Sequence, residues 1–98
     1  MSGQMYEFTF DPDVDLTEVE DTLTLAVLAA ENLHGRALVR MDGSFRLDRP
    51  TRKCIIDAAT SIGQQIARLF TGFLSKEFGE EAFAVRNVGA KQWHTEPM

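Results

Sequence analysis

Apolar residues recur at spacings of three and four along two stretches of the chain, which predicts two amphipathic α-helices. The first helix begins after Asp15, a side chain that caps helix starts, and runs to His34, where Gly35 supplies a left-handed stop. The second begins at Ser61, whose side chain can cap it, and ends before Gly79. The stripe that should face the core on the first helix is Leu16, Val19, Leu23, Ala26, Ala30 and Leu33.

Alternation of apolar and polar residues predicts the strands. Residues 6–10 alternate in this way and form the first strand. The last strand covers residues 82–88 and should place Phe83 and Val85 inward. Both strands can therefore cover one face of a sheet with apolar side chains.

The segment between the helices predicts a three-stranded meander. Turn signals at Asp42-Gly43 and at residues 49–52 divide it, and the second turn brings Leu47 opposite Cys54. A slip of one residue would put charged side chains in the core, so this register is strongly favoured. The residues expected on the inward face are Ala37, Val39, Met41, Phe45, Leu47, Cys54 and Ile56.

The predicted fold class is α+β, a two-layer sandwich of order β-α-β-β-β-α-β with one antiparallel sheet and two helices on one face. The alternative takes residues 36–48 as one long strand bulged at Gly43, which gives a βαββαβ ferredoxin-like order. The pattern does not decide whether that segment is one strand or two. We expect residues 1–89 to form a single domain and residues 90–98, which show no periodicity, to be a mobile C-terminal tail.

The composition is that of an ordinary globular domain, with 44% hydrophobic and 26% charged residues in a chain of 98. The longest apolar run, Leu25–Ala30, is far below the roughly 18 residues of a membrane helix. The N-terminus has no secretory pattern, and a single cysteine cannot form an internal disulfide. These features predict a cytoplasmic protein that contacts no membrane.

Charge is distributed unevenly along the chain, although its sum is only −5. Residues 1–34 contain eight acidic side chains and no Lys or Arg, whereas residues 35–53 contain six basic side chains and two acidic ones. An acidic first third and a basic middle can be complementary between two copies of one chain.

No residue set predicts catalysis, a cofactor or a metal site. His34 and His94 are far apart, and one cysteine cannot build a structural zinc site. Cys54 lies on the inward face of its strand, so we expect a buried and unreactive thiol. The carboxylates of residues 11–21 are explained by a capped helix start, and no glycine-rich phosphate loop opens a helix. The sequence therefore predicts a protein that is not an enzyme.

Two leucines of the first helix lie opposite its core stripe and are not explained by the sheet. Leu25 and Leu28, flanked by Asp21, are the residues that we expect to contact a partner. The leading hypothesis is a non-catalytic protein-interaction or self-associating module, with a homodimer as the expected assembly.

The alternative hypothesis is a binder of an anionic ligand or of nucleic acid. It uses the basic residues Arg40, Arg46, Arg49, Arg52 and Lys53. Nucleic acid is disfavoured because the net charge is negative and no aromatic platform accompanies these residues. The partner, the ligand and the pathway do not follow from the sequence.

Overall fold

The computed structural model describes residues 4–89 and shows one antiparallel sheet with helices on one of its faces. The first half of the chain forms β1 (Gln4–Phe10), α1 (Leu16–His34), the short α2 (Arg36–Asp42) and β2 (Phe45–Asp48). The second half forms β3 (Lys53–Asp57), α3 (Ser61–Phe78), a 3₁₀ turn (Glu80–Ala82) and β4 (Phe83–Gly89). The predicted two-layer α+β sandwich is confirmed.

Strands neighbour one another in the order β2-β3-β1-β4, and each neighbouring pair is antiparallel. The connection through α1 carries the chain from β1 past β3 to β2, and α3 carries it from β3 past β1 to β4. Apart from the added α2, this is the βαββαβ connectivity of the ferredoxin-like alternative.

The prediction of a strand at the start of the meander is wrong, because residues 36–42 form the helix α2. The long strand of the alternative fails for the same reason. This segment consists largely of Ala, Leu, Arg and Met, which favour helix, and it is too short for its period to separate helix from strand. Asp42-Gly43 ends the helix instead of turning a hairpin, with the Gly43 N–H donating to the Val39 carbonyl at 2.7 Å.

The second hairpin of the predicted meander is confirmed. Leu47 is opposite Cys54 and Phe45 is opposite Ile56, as the alternation requires. The turn between the strands is completed by Arg52, whose φ of 58° is unusual for a residue other than glycine. The strand pairing in this half of the chain was therefore predictable from local signals.

The predicted bounds of α1 are confirmed at both ends. The Asp15 side chain accepts a hydrogen bond from the Thr17 N–H at 2.9 Å, and Gly35 leaves the helix with φ of 93°. Its stripe is buried except for Leu33, which is 64% exposed. Leu33 lies in the last turn, beyond Ala30, the last buried residue of the helix.

α3 spans its predicted residues, but Thr60 and not Ser61 caps it. The Thr60 Oγ1 accepts a hydrogen bond from the Gly63 N–H at 3.0 Å. Its apolar residues pack against the sheet and α1, and the ring of Phe70 lies 4.9 Å from that of Phe8 in an edge-to-face pair. The core therefore lies between the helices and the inward face of the sheet.

At the sheet's edge, Phe83 is half-buried against the core, as predicted. Val85 lies on the same inward face, as predicted, although it is 41% exposed. β4 is an edge strand, so a side chain there is covered on one side only. No helix within residues 4–89 is long and apolar enough to span a bilayer. The predicted tail of residues 90–98 lies outside the described residues.

Candidate interaction surfaces

Exposed large apolar side chains are concentrated in one stretch of the sequence. Within residues 4–89 there are seven of them, and six lie between positions 25 and 45. We call these six the apolar band. Its members are Leu25, Leu28, Leu33, Leu38, Met41 and Phe45.

The α1 part of the apolar band lies where the helical periodicity predicts. Leu25 is 58% exposed and Leu28 is 49% exposed, whereas Leu23 and Ala26 beside them in the sequence are buried. Asp21, one turn before Leu25, is also exposed. The structure thus places the three residues predicted to contact a partner on the solvent side of α1.

The α2 part of the band was not predicted. Val39 is buried and holds α2 against the rest of the molecule, and its neighbours Leu38 and Met41 are exposed, Met41 by 81%. Arg36 and Arg40 on the same short helix are exposed as well. α2 therefore presents a surface that is both apolar and cationic.

β2 contributes the last member of the band and borders a groove along α1. β2 is an edge strand, and the ring of Phe45 is exposed although it faces the helical layer. Phe45 and Leu47 line the groove from the strand, and Leu23 and Val27 line it from α1. Beyond β2, Arg49 Nη2 contacts a carboxylate oxygen of Glu20 at 2.7 Å and joins the hairpin to α1.

The five basic residues of the alternative hypothesis do not form one site. Arg52 is used internally: its guanidinium donates to the carbonyls of Phe10, Asp11 and Val14 and holds the loop before α1 against the β2–β3 turn. The Asp11 carbonyl also accepts from the Val14 N–H at 3.1 Å, so these charge-assisted bonds add to the loop's own hydrogen bonding.

Of the other four, only two lie together. Arg46 and Lys53 line one cleft on the sheet face away from the helices, where Lys53 Nζ lies 3.5 Å from a Glu7 oxygen. Arg49 pairs with Glu20 as described, and Arg40 belongs to α2. The structure therefore does not gather all five residues around one point.

The centre of that outer sheet face is a charge cluster around Glu7. Its carboxylate contacts Lys53 on one neighbouring strand and Arg86, at 3.1 Å, on the other. One carboxylate between two cations leaves a net charge of about +1 at this point. The described residues that share this face include no aromatic ring, so the face differs from a stacking platform for nucleic acid.

A second charged surface gathers carboxylates from opposite ends of the chain. We call it the acidic pole. It consists of Asp11, Asp13, Asp15, Glu18, Glu77 and Glu81, which line one cleft. The start of α1 and the end of α3 bring these residues together, and Val14, Phe78 and Ala82 supply apolar surface in the cleft.

The acidic pole contains no ion pair among the described residues. None of its six carboxylates lies within 4.0 Å of a cationic group there. They are also spread along the cleft, and no three His, Cys, Asp or Glu side chains in residues 4–89 are arranged to hold a metal ion. Sequence reasoning recognised the first four as part of an acidic segment but missed Glu77 and Glu81, because only packing places them nearby.

Cys54 is fully buried in β3, as predicted. Burial in apolar surroundings raises the pKa of its thiol to about 12. The thiol is therefore protonated at neutral pH and sheltered from solutes, which is the opposite of an activated nucleophile.

No protein-family model, no curated protein and no solved structure matches this chain.

Proposed function

We propose that this chain is a protein-interaction module that binds a second copy of itself, with a dimer as the smallest assembly. The observation that carries the proposal is the apolar band, which holds six of the seven large exposed apolar side chains within residues 4–89. Single exposed leucines are normal, whereas a larger exposed apolar surface marks a contact site, and no other part of residues 4–89 exposes as many large apolar side chains.

Burial of the band supplies the driving force for association. A leucine side chain contributes roughly 1.5–3 kcal/mol when it is fully removed from water. Leu25 and Leu28 are half-exposed in the single copy, so a partner surface can bury much of each. Exposed ion pairs contribute less, typically below about 1 kcal/mol, and mainly orient the partners.

A second copy is supported as partner because this chain carries both kinds of charge on separate surfaces. Arg36 and Arg40 accompany the apolar band on α2, and the acidic pole offers carboxylates without cationic partners among the described residues. Complementary surfaces on one chain favour contacts between identical molecules.

The experiment compares wild type with the double variant Leu25→Lys, Leu28→Glu in sedimentation velocity over a concentration series. We expect wild type to sediment faster as concentration rises, and the variant to need at least about tenfold more protein for the same shift. Val85→Lys is the matched control, because Val85 is a similarly exposed apolar residue outside the band.

Circular dichroism shows whether each variant is folded. Both leucines lie opposite the core stripe of α1, so folding should survive their replacement. A wild type that stays monomeric at every concentration contradicts the proposal. A double variant that is folded and associates as strongly as wild type would show that Leu25 and Leu28 lie outside the contact.

A further inference from the structure

We infer that the self-association proposed above, on which this inference rests, is head to tail: α2 of one copy docks in the cleft of the acidic pole of the next copy. α2 is an exposed helix surface whose cations have no carboxylate partner among the described residues. The cleft combines carboxylates with apolar surface. The two surfaces are therefore complementary in both charge and polarity.

The fold places these two surfaces at opposite ends of the helical layer. α2 follows the end of α1 and is tied to the start of α3, where the Thr60 hydroxyl donates to the Asp42 carbonyl at 3.0 Å. The acidic pole lies at the start of α1 and the end of α3. A helix of 19 residues is roughly 28 Å long, so the two surfaces of one chain cannot meet each other.

The outward side of α2 has the side chains that such a cleft would receive. Val39 points into the molecule, and a residue two positions later on a helix lies about 160° around the axis from it, which is where Met41 stands. A methionine side chain is unbranched and flexible, so it can pack against the apolar part of the cleft lining, where Phe78 and Ala82 are half-buried.

The two arginines of α2 suit the rim of the cleft. Arg36 and Arg40 are one turn apart, so both guanidinium groups can reach carboxylates along one side of the docked helix. Arginine binds carboxylates through two parallel hydrogen bonds, which gives orientation as well as attraction.

The single copy also carries an electrostatic cost that this contact would relieve. Glu77 lies in the last turn of α3, where the carbonyl end of the helix dipole disfavours a negative charge. It shares the cleft with five further carboxylates. A cationic helix in the cleft supplies ion pairs that residues 4–89 of one chain do not.

A contact of this kind joins two different surfaces, so each dimer keeps one unoccupied α2 and one unoccupied cleft. Heterologous contacts therefore continue into rings or open chains, whereas a contact with two-fold symmetry stops at the dimer. Growth beyond the dimer is the property that separates the two arrangements.

The test uses two variants that each disable one surface. The pole variant is Glu77→Lys, Glu81→Lys, and the α2 variant is Arg36→Ala, Arg40→Ala, Met41→Ala. All five positions are exposed, and alanine favours helix, so both variants should fold. Arg68→Glu, an exposed charge reversal on α3 outside both surfaces, is the control.

In sedimentation velocity we expect wild type and the control to grow beyond the dimer as concentration rises. Each variant alone should associate at least about tenfold more weakly. An equimolar mixture of the two should form a one-to-one heterodimer and nothing larger, because one intact α2 then meets one intact cleft.

Other results overturn the inference in distinguishable ways. If both variants associate like wild type while Leu25→Lys, Leu28→Glu does not, self-association stands and the head-to-tail contact is wrong. A wild type that stops at the dimer, or a mixture that stays monomeric, also excludes the head-to-tail contact. A wild type that is monomeric throughout removes both proposals.

Discussion

Cys54 and Arg52 lie two positions apart in the chain, and each has a side chain that can act either in a binding or catalytic site or in holding the fold together. In the structure Arg52 donates to three backbone carbonyls of the loop before α1, and Cys54 is buried among core residues. Alternation predicted the burial of Cys54. It could not predict the use of Arg52, because that depends on a loop about 40 residues away in the sequence.

Because the Cys54 thiol is buried, we expect the free energy of unfolding to fall at alkaline pH. Burial raises the pKa of Cys54 to about 12 from its ordinary value of 9.0, so the folded state keeps a proton that the unfolded state releases. The stabilisation is fully present below about pH 9 and is lost toward pH 12, at about 1.4 kcal/mol per pH unit.

The measurement is urea unfolding of wild type and Cys54→Ala at several pH values. The variant has no thiol to titrate, whereas other groups titrate in both proteins. We therefore expect the free energy of unfolding of wild type, relative to the variant, to fall by about 2 kcal/mol between pH 9 and pH 10.5. A difference that is constant with pH would contradict the assignment.

At the scale of elements, the start of α3 packs unusually closely against the end of β3. A Cβ atom built on Gly63 would lie 1.8 Å from the carbonyl oxygen of Asp57, so only glycine fits there. Gly72, in the same helix, has no atom within 4 Å of the corresponding position. In the sequence the two glycines look alike, and only the packing of α3 on the strand separates them.

The two glycines predict opposite effects of alanine. Gly63→Ala should lower the free energy of unfolding by about 3 kcal/mol or more, because a backbone shift is required to admit the methyl group. Gly72→Ala should raise it by about 0.5–1 kcal/mol, because alanine favours helix and meets open space. Chemical denaturation of both variants checks this pair, and equal effects would mean that α3 packs differently.

For the whole molecule, the arrangement of charge matters more than its sum. α1 and α3 run in opposite directions, so the start of one and the end of the other combine their carboxylates in the acidic pole. The cations of α2 lie at the far end of the same layer. A net charge of −5 describes neither surface.

Glu77→Lys tests whether the carboxylates of the acidic pole destabilise the monomer while they strengthen self-association. At concentrations where wild type is monomeric, we expect the variant to be more stable by about 0.3–1 kcal/mol, because a cation suits the end of a helix. At high concentration it should associate more weakly. Urea unfolding in dilute solution and sedimentation in concentrated solution measure the two effects, and a less stable monomer would contradict the electrostatic argument.

The sequence by itself determined the features that depend on near neighbours in the chain. The ends of α1, the span of α3 and the register of Leu47 with Cys54 follow from capping residues, glycine stops and short-range alternation. The exposure of Leu25 and Leu28 also follows from helical period alone. Their contact with a partner stays a prediction.

Only the tertiary structure decided what depends on distant contacts. Residues 36–42 are too few for their period to choose between strand and helix, and in the structure they form a helix that buries Val39. The acidic pole joins residues about 60 positions apart, which no local pattern can bring together. Periodicity reports which side of an element is apolar, whereas the partner of that side is set by how the whole chain packs.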